Sequence, residues 1–345
     1  MCNYFSCIVT KGGKALWLKN SMSHEDIIDE YKLDDRRTDY MNLPFVRIEI
    51  IPIEKGKITH NKKDWILKVD QHPQPDWYIL DPEKYNKYAW DAWRESIQIN
   101  LALGEERRTV KDVYIKAYEK STVIAHGKSL VFAHDRSVIQ IHDESHVTAD
   151  DNSVIEAHDN SHVGAYDNTT VEAYDDSLVF LHDNSVARTY GSCEVYGYNN
   201  STVYAYNNTN GHIKDNSTAE TYDRSVIHAY DKSNTIAHDD SLIKLFDSST
   251  VKAFDNSMIY DHHNPHEKPV VKLESDTAIL IRNNMIYVRD ISKVKEVDDT
   301  IGKQALKDQK NNEKVLKFLK KLVKFGNTEE AVEAIDLLKE LNEDE

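Results

Sequence analysis

From about Tyr118 to Asp261 the chain alternates small apolar and polar residues in short bursts, each closed by the same kind of polar corner. Eight positions, a to h, describe it, as in Tyr166-Asp-Asn-Thr-Thr-Val-Glu-Ala173, and the phrase recurs about 18 times without insertion. Position a is a ring almost throughout, b is mostly Asp, and d is nearly always Ser or Thr. Position f is mostly Val or Ile and h mostly Ala, while e, g and the next a are largely polar or aromatic. That period of two predicts a short strand with one buried face. The Asp-Asn-Ser corner predicts a turn whose side chains bond their own backbone. Short strands at constant spacing with no helix between them predict a mainly β protein, a parallel β-solenoid of octapeptide repeats.

Volume decides how many octads make a coil. A triangle with sides of roughly 16 Å would enclose space that Val, Ala and Ser cannot fill to native density. Two octads per coil suit these small inward residues, and nine such coils would stack to roughly 43 Å.

The flanking patterns differ. NYFSCIVTKGGKALWL reads as a hairpin around Gly12-Gly13, and Ser23 with Asp26 as a capping box opening the helix EDIIDEYKL. FVRIEIIPI and DWILKVD read as strands, and DPEKYNKYAWDAWRESIQINLAL as a helix, giving a small α+β domain over 1–109. The solenoid is then assigned to 110–261. PVVKLE and the pair AILI-RNN-MIYV predict closing strands within 262–300. A helical hairpin is expected over 301–345, from Lys303 to Phe325 and from Thr328 to Asn342. A solenoid needs its open ends covered, and these flanks can serve.

The opening MCNYFSCIV, WLKNSMSHEDIIDEYKL, VDQHPQPDW and the AYDNS-type octads together resemble uncharacterised phage and prophage proteins that join a small N-terminal α+β domain to octapeptide repeats. The resemblance implies a phage setting and transfers no functional residue.

Composition narrows the partners. A net charge of -16 argues against direct nucleic-acid binding and for a protein partner of basic character. No apolar run is long enough for a membrane span, and the N-terminus lacks a secretory pattern. The three cysteines, Cys2, Cys7 and Cys193, make no disulfide framework, so a cytoplasmic or virion-associated protein is expected.

Two octads per coil would align every second a residue into one outward column, such as His158, Tyr174, Tyr190, Tyr206 and Tyr222. A companion column would carry Tyr166, His182 and Tyr198. These eight residues are the expected binding surface. The rings can be a stabilising ladder, a stripe that docks a protein, or a platform for sugar. The Asp column at b is first of all turn chemistry, although rows of carboxylates could also imitate nucleic-acid phosphates and inhibit a host protein.

Metal is not among the expectations and no cofactor is implied. His142, His146, His158 and His162 would share one face, and Asp261, His262, His263 and His266 crowd ligand types where the repeat ends, where a capping loop is the simpler reading. Cys2 could act as an N-terminal nucleophile, but no other part of such a site is visible. Cys193, at position d, reads as core. The stripe Leu316, Leu319, Leu322 and Val323 reads as hairpin core or a self-association surface. The expectation is a non-enzymatic protein that presents a rigid, acidic, ring-lined surface. A mimicry inhibitor and a carbohydrate-binding spike are the alternatives.

Overall fold

The structure, a computed structural model, describes residues 4–35, 40–262, 270–282 and 285–288. It is mainly β, with a small N-terminal α+β region and a parallel β-solenoid of about ten turns over residues 101–273. Contacts divide it into two compact units. Of the described residues, one unit holds those up to Glu156 together with Asn160–His162, and the other holds Ala157–Asp159 and those from Val163 onward. The C-terminal helical hairpin lies outside the described residues.

In the first unit β1 (Phe5–Thr10), β2 (Ala15–Leu16), β3 (Phe45–Pro52) and β4 (Trp65–Val69) form an antiparallel sheet in the order β2-β1-β3-β4. The hairpin turns where the glycines predict: Gly13 takes a φ of 82° and its N–H donates to Thr10 O at 2.9 Å. Alternation along the strands sorts the core. Cys7, Val9, Ile48 and Ile50 pack against α3 (Pro82–Asn100) through Ala89, Trp93 and Ile97, whereas Ile8 and Phe45 meet Ile27 and Ile28 of α1 (His24–Glu30).

Ser23 caps α1, its hydroxyl accepting from Asp26 N, but the reciprocal half of the expected box is not made. The Asp26 carboxylate takes the Ser21 hydroxyl instead. A single turn, α2 (Asp76–Ile79), precedes helix α3, which starts on an Asp81 cap with Pro82 at its first position. It stops at Asn100, short of the expected Leu103, because Leu101 and Ala102 gain ladder partners in Lys116 and Ala117. The helix therefore runs straight into the first solenoid strand.

Strands pair in parallel with strands sixteen residues on, which makes two octads per coil. In the first unit Tyr114 faces Leu130 and His146 faces Leu130 from the other side. In the second, Thr170 faces Val186, Thr202 faces Thr218, and Leu178 faces Glu194. Positions d, f and h are buried and e and g look outward, as the alternation predicts. Burying each Val or Ile at f contributes about 1.5–3 kcal/mol.

The corner that follows Thr221 shows where the amides go. There the N–H groups of Tyr222, Arg224 and Val226 donate to carbonyls seventeen residues earlier, those of Ala205, Asn207 and Thr209, at 2.8 to 3.0 Å. Ser225 N–H closes the turn on Tyr222 O at 3.2 Å. The b amide has no such carbonyl, and the next coil's b side chain takes it: Asn207 N–H donates to Asp223 Oδ2 at 2.9 Å. The Ser at d bonds its own turn, Ser225 Oγ donating to Tyr222 O at 2.8 Å. Here the structure corrects the expectation for Asp, whose carboxylate caps the preceding coil rather than its own backbone. The same contact recurs from coil to coil at the exposed corners, so these side chains are part of the ladder.

The non-glycine b residues of the repeat all sit in the left-handed region, with φ between 50° and 61°. Asp and Asn tolerate that conformation better than other side chains. The solenoid also outruns the repeat. Leu101–Ala102, Arg107–Lys111 and Tyr114–Ala117 precede the phrase, and Val270–Leu273 pairs with Thr250–Ala253 beyond it. Met285–Val288 then folds back antiparallel on Ile279–Arg282.

Gly191 departs from the other b positions, with a φ of 87° and the backbone O and N of Asp175 only 2.9 and 3.0 Å from where a Cβ would lie. Gly191→Asp, which restores the commonest b residue, is expected to destabilise the chain by about 1–3 kcal/mol. A denaturation midpoint equal to or above that of the parent chain would refute this packing.

Candidate functional site

The sixteen-residue register gathers the eight sequence-nominated residues into two columns. His158, Tyr174, Tyr190, Tyr206, Tyr222, His238 and Phe254 stack in series, with centroids 4.8 to 5.2 Å apart and planes within 16° of parallel. Tyr166, His182 and Tyr198 stack likewise at 4.8 and 5.0 Å. The spacing is that of neighbouring strands, so the backbone sets it, and each ring pair adds about 0.5–1.5 kcal/mol beyond its burial. Stacking also decides what is shown outward: both faces of an inner ring are covered, leaving its edge, with a phenol oxygen or imidazole nitrogen at the tip.

Acids line the same surface. Tyr174 and Tyr222 donate their hydroxyls to Glu172 and Glu220, two residues earlier at position g. The Glu220 bond is the main reason the Tyr222 phenol is held above its usual range, with burial second. Burial is the main cause of the same shift at Tyr206. His238 lies 3.5 Å from Glu220 and 3.7 Å from Asp255. Residues 118–261 contain 23 Asp and Glu against 9 Lys and Arg.

The second column is interrupted twice by charge. Asp150 takes the ring's place and binds His134 Nδ1 at 2.8 Å, while His134 stacks on Tyr118 at 4.7 Å. Lys214 stands between Tyr198 and Tyr230, its ammonium 6.0 and 5.5 Å from their ring centres. Both substitutions answer the ring chemistry, one through a carboxylate–imidazole contact and one through cation–π attraction.

The histidine quartet is divided between positions. His142 stacks on His126 at 4.8 Å, His158 on Tyr174 at 4.9 Å, and His146 meets His162 at 4.3 Å with planes tilted 58°. Burial, then His146, holds the His162 imidazole below its usual range. Asp261 pairs with Arg282 and His262 stacks on Phe246 at 5.3 Å; His263 and His266 lie outside the described residues, as does Cys2. Cys193 is core, as position d predicts, its thiol 3.1 Å from Tyr190 O and pushed by burial to about 11.

Sequence reasoning missed three features. An outward column at g carries Phe180, Tyr196, His212 and His228, with the first three stacked at 5.0 and 5.2 Å. A cavity of about 30 Å³ in the first unit is walled by Tyr4, Trp65, Trp93, Tyr114 and Lys116. Burial pulls the Lys116 ammonium down to about 8, and it lies 4.6 Å over the Tyr4 ring. Lys116 holds an ordinary outward g position, so only the cover of Tyr4 distinguishes it. Third, His24, Glu49 and Asp70 converge on the α1 side of the sheet, with one ligand atom from each within 4.8 Å of the others. They are spread over almost fifty residues, and no spacing rule joins them.

With this geometry in hand, the chain was compared with protein-family models, curated proteins and solved structures, and none matches it.

The g column makes a pH prediction. Burial, then His212, Lys244 and His262, depresses the His228 imidazole from 6.5 to about 4. The unfolded chain therefore binds a proton that the folded coil refuses, and stability falls as pH drops from 6.5 towards about 4. His228→Phe keeps a ring in the column and is expected to flatten that slope in melting temperature measured against pH. An unchanged slope would rule out His228 as its source.

Proposed function

We propose that the chain is a non-catalytic interaction protein and that the ring columns of its solenoid recognise a protein partner. The observation that carries this reading is the face-to-face stacking of Tyr174, Tyr190, Tyr206 and Tyr222. It leaves a row of hydrogen-bonding edges at one-coil intervals, beside the carboxylates at g. Sugar recognition by stacking needs an open ring face, so this geometry weighs against the carbohydrate alternative for the inner rings. A protein presenting polar groups at strand spacing matches the row in register. The excess of acid favours a partner with a basic surface and supports fast encounter more than final affinity.

The mimicry alternative draws less support. Along the b column one carboxylate oxygen is already engaged by a backbone N–H, as at Asp215, Asp223 and Asp231. The conformation and hydrogen bonding of that column explain its acidity without a nucleic-acid-binding target. We place the role in a phage or prophage setting on the resemblance of the N-terminal motifs and octads alone.

Tyrosine-to-phenylalanine exchange separates building from recognition. The triple variant Tyr174→Phe, Tyr190→Phe, Tyr206→Phe keeps the stack and removes three hydroxyls. Each lost hydrogen bond is worth about 0.5–1.5 kcal/mol, so partner affinity should drop at least about tenfold. The partner is first trapped by photo-crosslinking from these positions in full-length protein, and affinity is then measured on the isolated pair. Unchanged affinity at unchanged melting temperature would sink the proposal. Glycan binding that survives the Phe exchange would favour the carbohydrate reading.

A further inference from the structure

We infer that His24, Glu49 and Asp70 form a site for one divalent metal ion of the zinc or manganese class, independent of the solenoid surface. Three elements deliver the residues. His24 opens α1, Glu49 lies on β3, and Asp70 follows β4, held beside β3 by its N–H bond to Arg47 O at 3.0 Å. In β3 the alternation that sends Ile48 and Ile50 towards α3 turns Arg47 and Glu49 to the opposite face. Arg47, on the same face, pairs with Asp35 at 3.1 Å.

The imidazole is oriented as a metal ligand would be. His24 is only 2% exposed, and its Nε2 lies 3.1 Å from Ile48 O. A carbonyl can only accept, so Nε2 carries a hydrogen and Nδ1 faces the other way. There it meets Asp70 Oδ2 at 3.3 Å, with Glu49 completing the set of three ligand atoms within 4.8 Å. Where one imidazole nitrogen faces two carboxylates, a divalent cation can take all three as ligands. A backbone carbonyl on the far nitrogen is the usual outer partner of a metal-bound histidine. One imidazole with two carboxylates suits a transition ion better than calcium or magnesium. Asp70 is exposed and Glu49 half-buried, so the site opens to water and leaves coordination positions for an exogenous ligand.

The other such trio among the described residues, His134, Asp150 and Asp151, lacks this character. Asp151 Oδ2 is held at 3.0 Å by Asp135 N–H as part of the corner ladder, and His134 belongs to the ring column.

The test uses full-length protein stripped with a chelator and titrated calorimetrically with Zn²⁺ and, for its visible spectrum, Co²⁺. One tight equivalent is expected, retained in His146→Ala and His162→Ala. In Glu49→Gln and Asp70→Asn, which preserve side-chain shape, affinity should fall by more than the roughly 10- to 100-fold that follows loss of an outer partner. In unaltered protein, ¹⁵N spectra should show the Nδ1 resonance of His24 moving on metal addition while Nε2 stays protonated. Equal affinity in the carboxamide variants, or a His24 ring protonated at both nitrogens under saturating metal, would overturn the assignment.

Discussion

The structure depends on a hydrogen-bond register in which each coil lies one strand spacing from the last. Strand amides alone would leave the corners free to drift. They are held because the a, c and e amides keep to the seventeen-residue ladder, the d amide closes the turn, and the b amide is taken by the next coil's Asp or Asn. That last contact requires a left-handed b residue with a short acceptor side chain, which Asp and Asn supply, whereas Gly127 and Gly191 meet the conformational requirement alone. Ring stacking, inward packing and the alignment of outward columns all follow from this translation. The contact also ties the acidity of the surface to the fold.

Much of this was legible in the phrase itself. Period two at f and h marks the buried face, small inward residues call for two octads per coil, and Gly12-Gly13 marks the hairpin. What the phrase conceals is anything that spans coils. The Asp at b looks like a residue serving its own turn because nothing in eight letters shows that its acceptor faces an amide sixteen residues away. The Asp, Asn and Gly found at b did carry the signal for positive φ. The ring columns were legible once two octads made a coil, with a stabilising ladder among the readings; the register adds that a second ring covers each face of the inner ones. The site at His24, Glu49 and Asp70 left no trace in spacing, since antiparallel pairing of β3 with β4 and the landing of α1 create it.

Function on such a scaffold is a question of which atoms remain after the fold has used the rest. The inner rings have given their faces to one another and the b carboxylates have given an oxygen to the backbone. Ring edges and g-position acids, joined to each other at Tyr174–Glu172 and Tyr222–Glu220, line the outward surface together with Asp150 and Lys214. On the proposed reading, a row of such groups would select a partner by period as much as by chemistry. The α+β region differs in kind: its polar convergence is local, partly buried and suited to an ion rather than to a long partner.

The central claim is that exposed corners are as firmly held as the strands they join. Amide hydrogen exchange, resolved by residue on the full-length protein, tests it most directly. The b amides of Asn207, Asp215 and Asp223 should exchange as slowly as the strand amides of Val203 and Ile227. Exchange at those corners as fast as at the open turn around Gly56 would mean that the carboxylate ladder does not hold the coils in register.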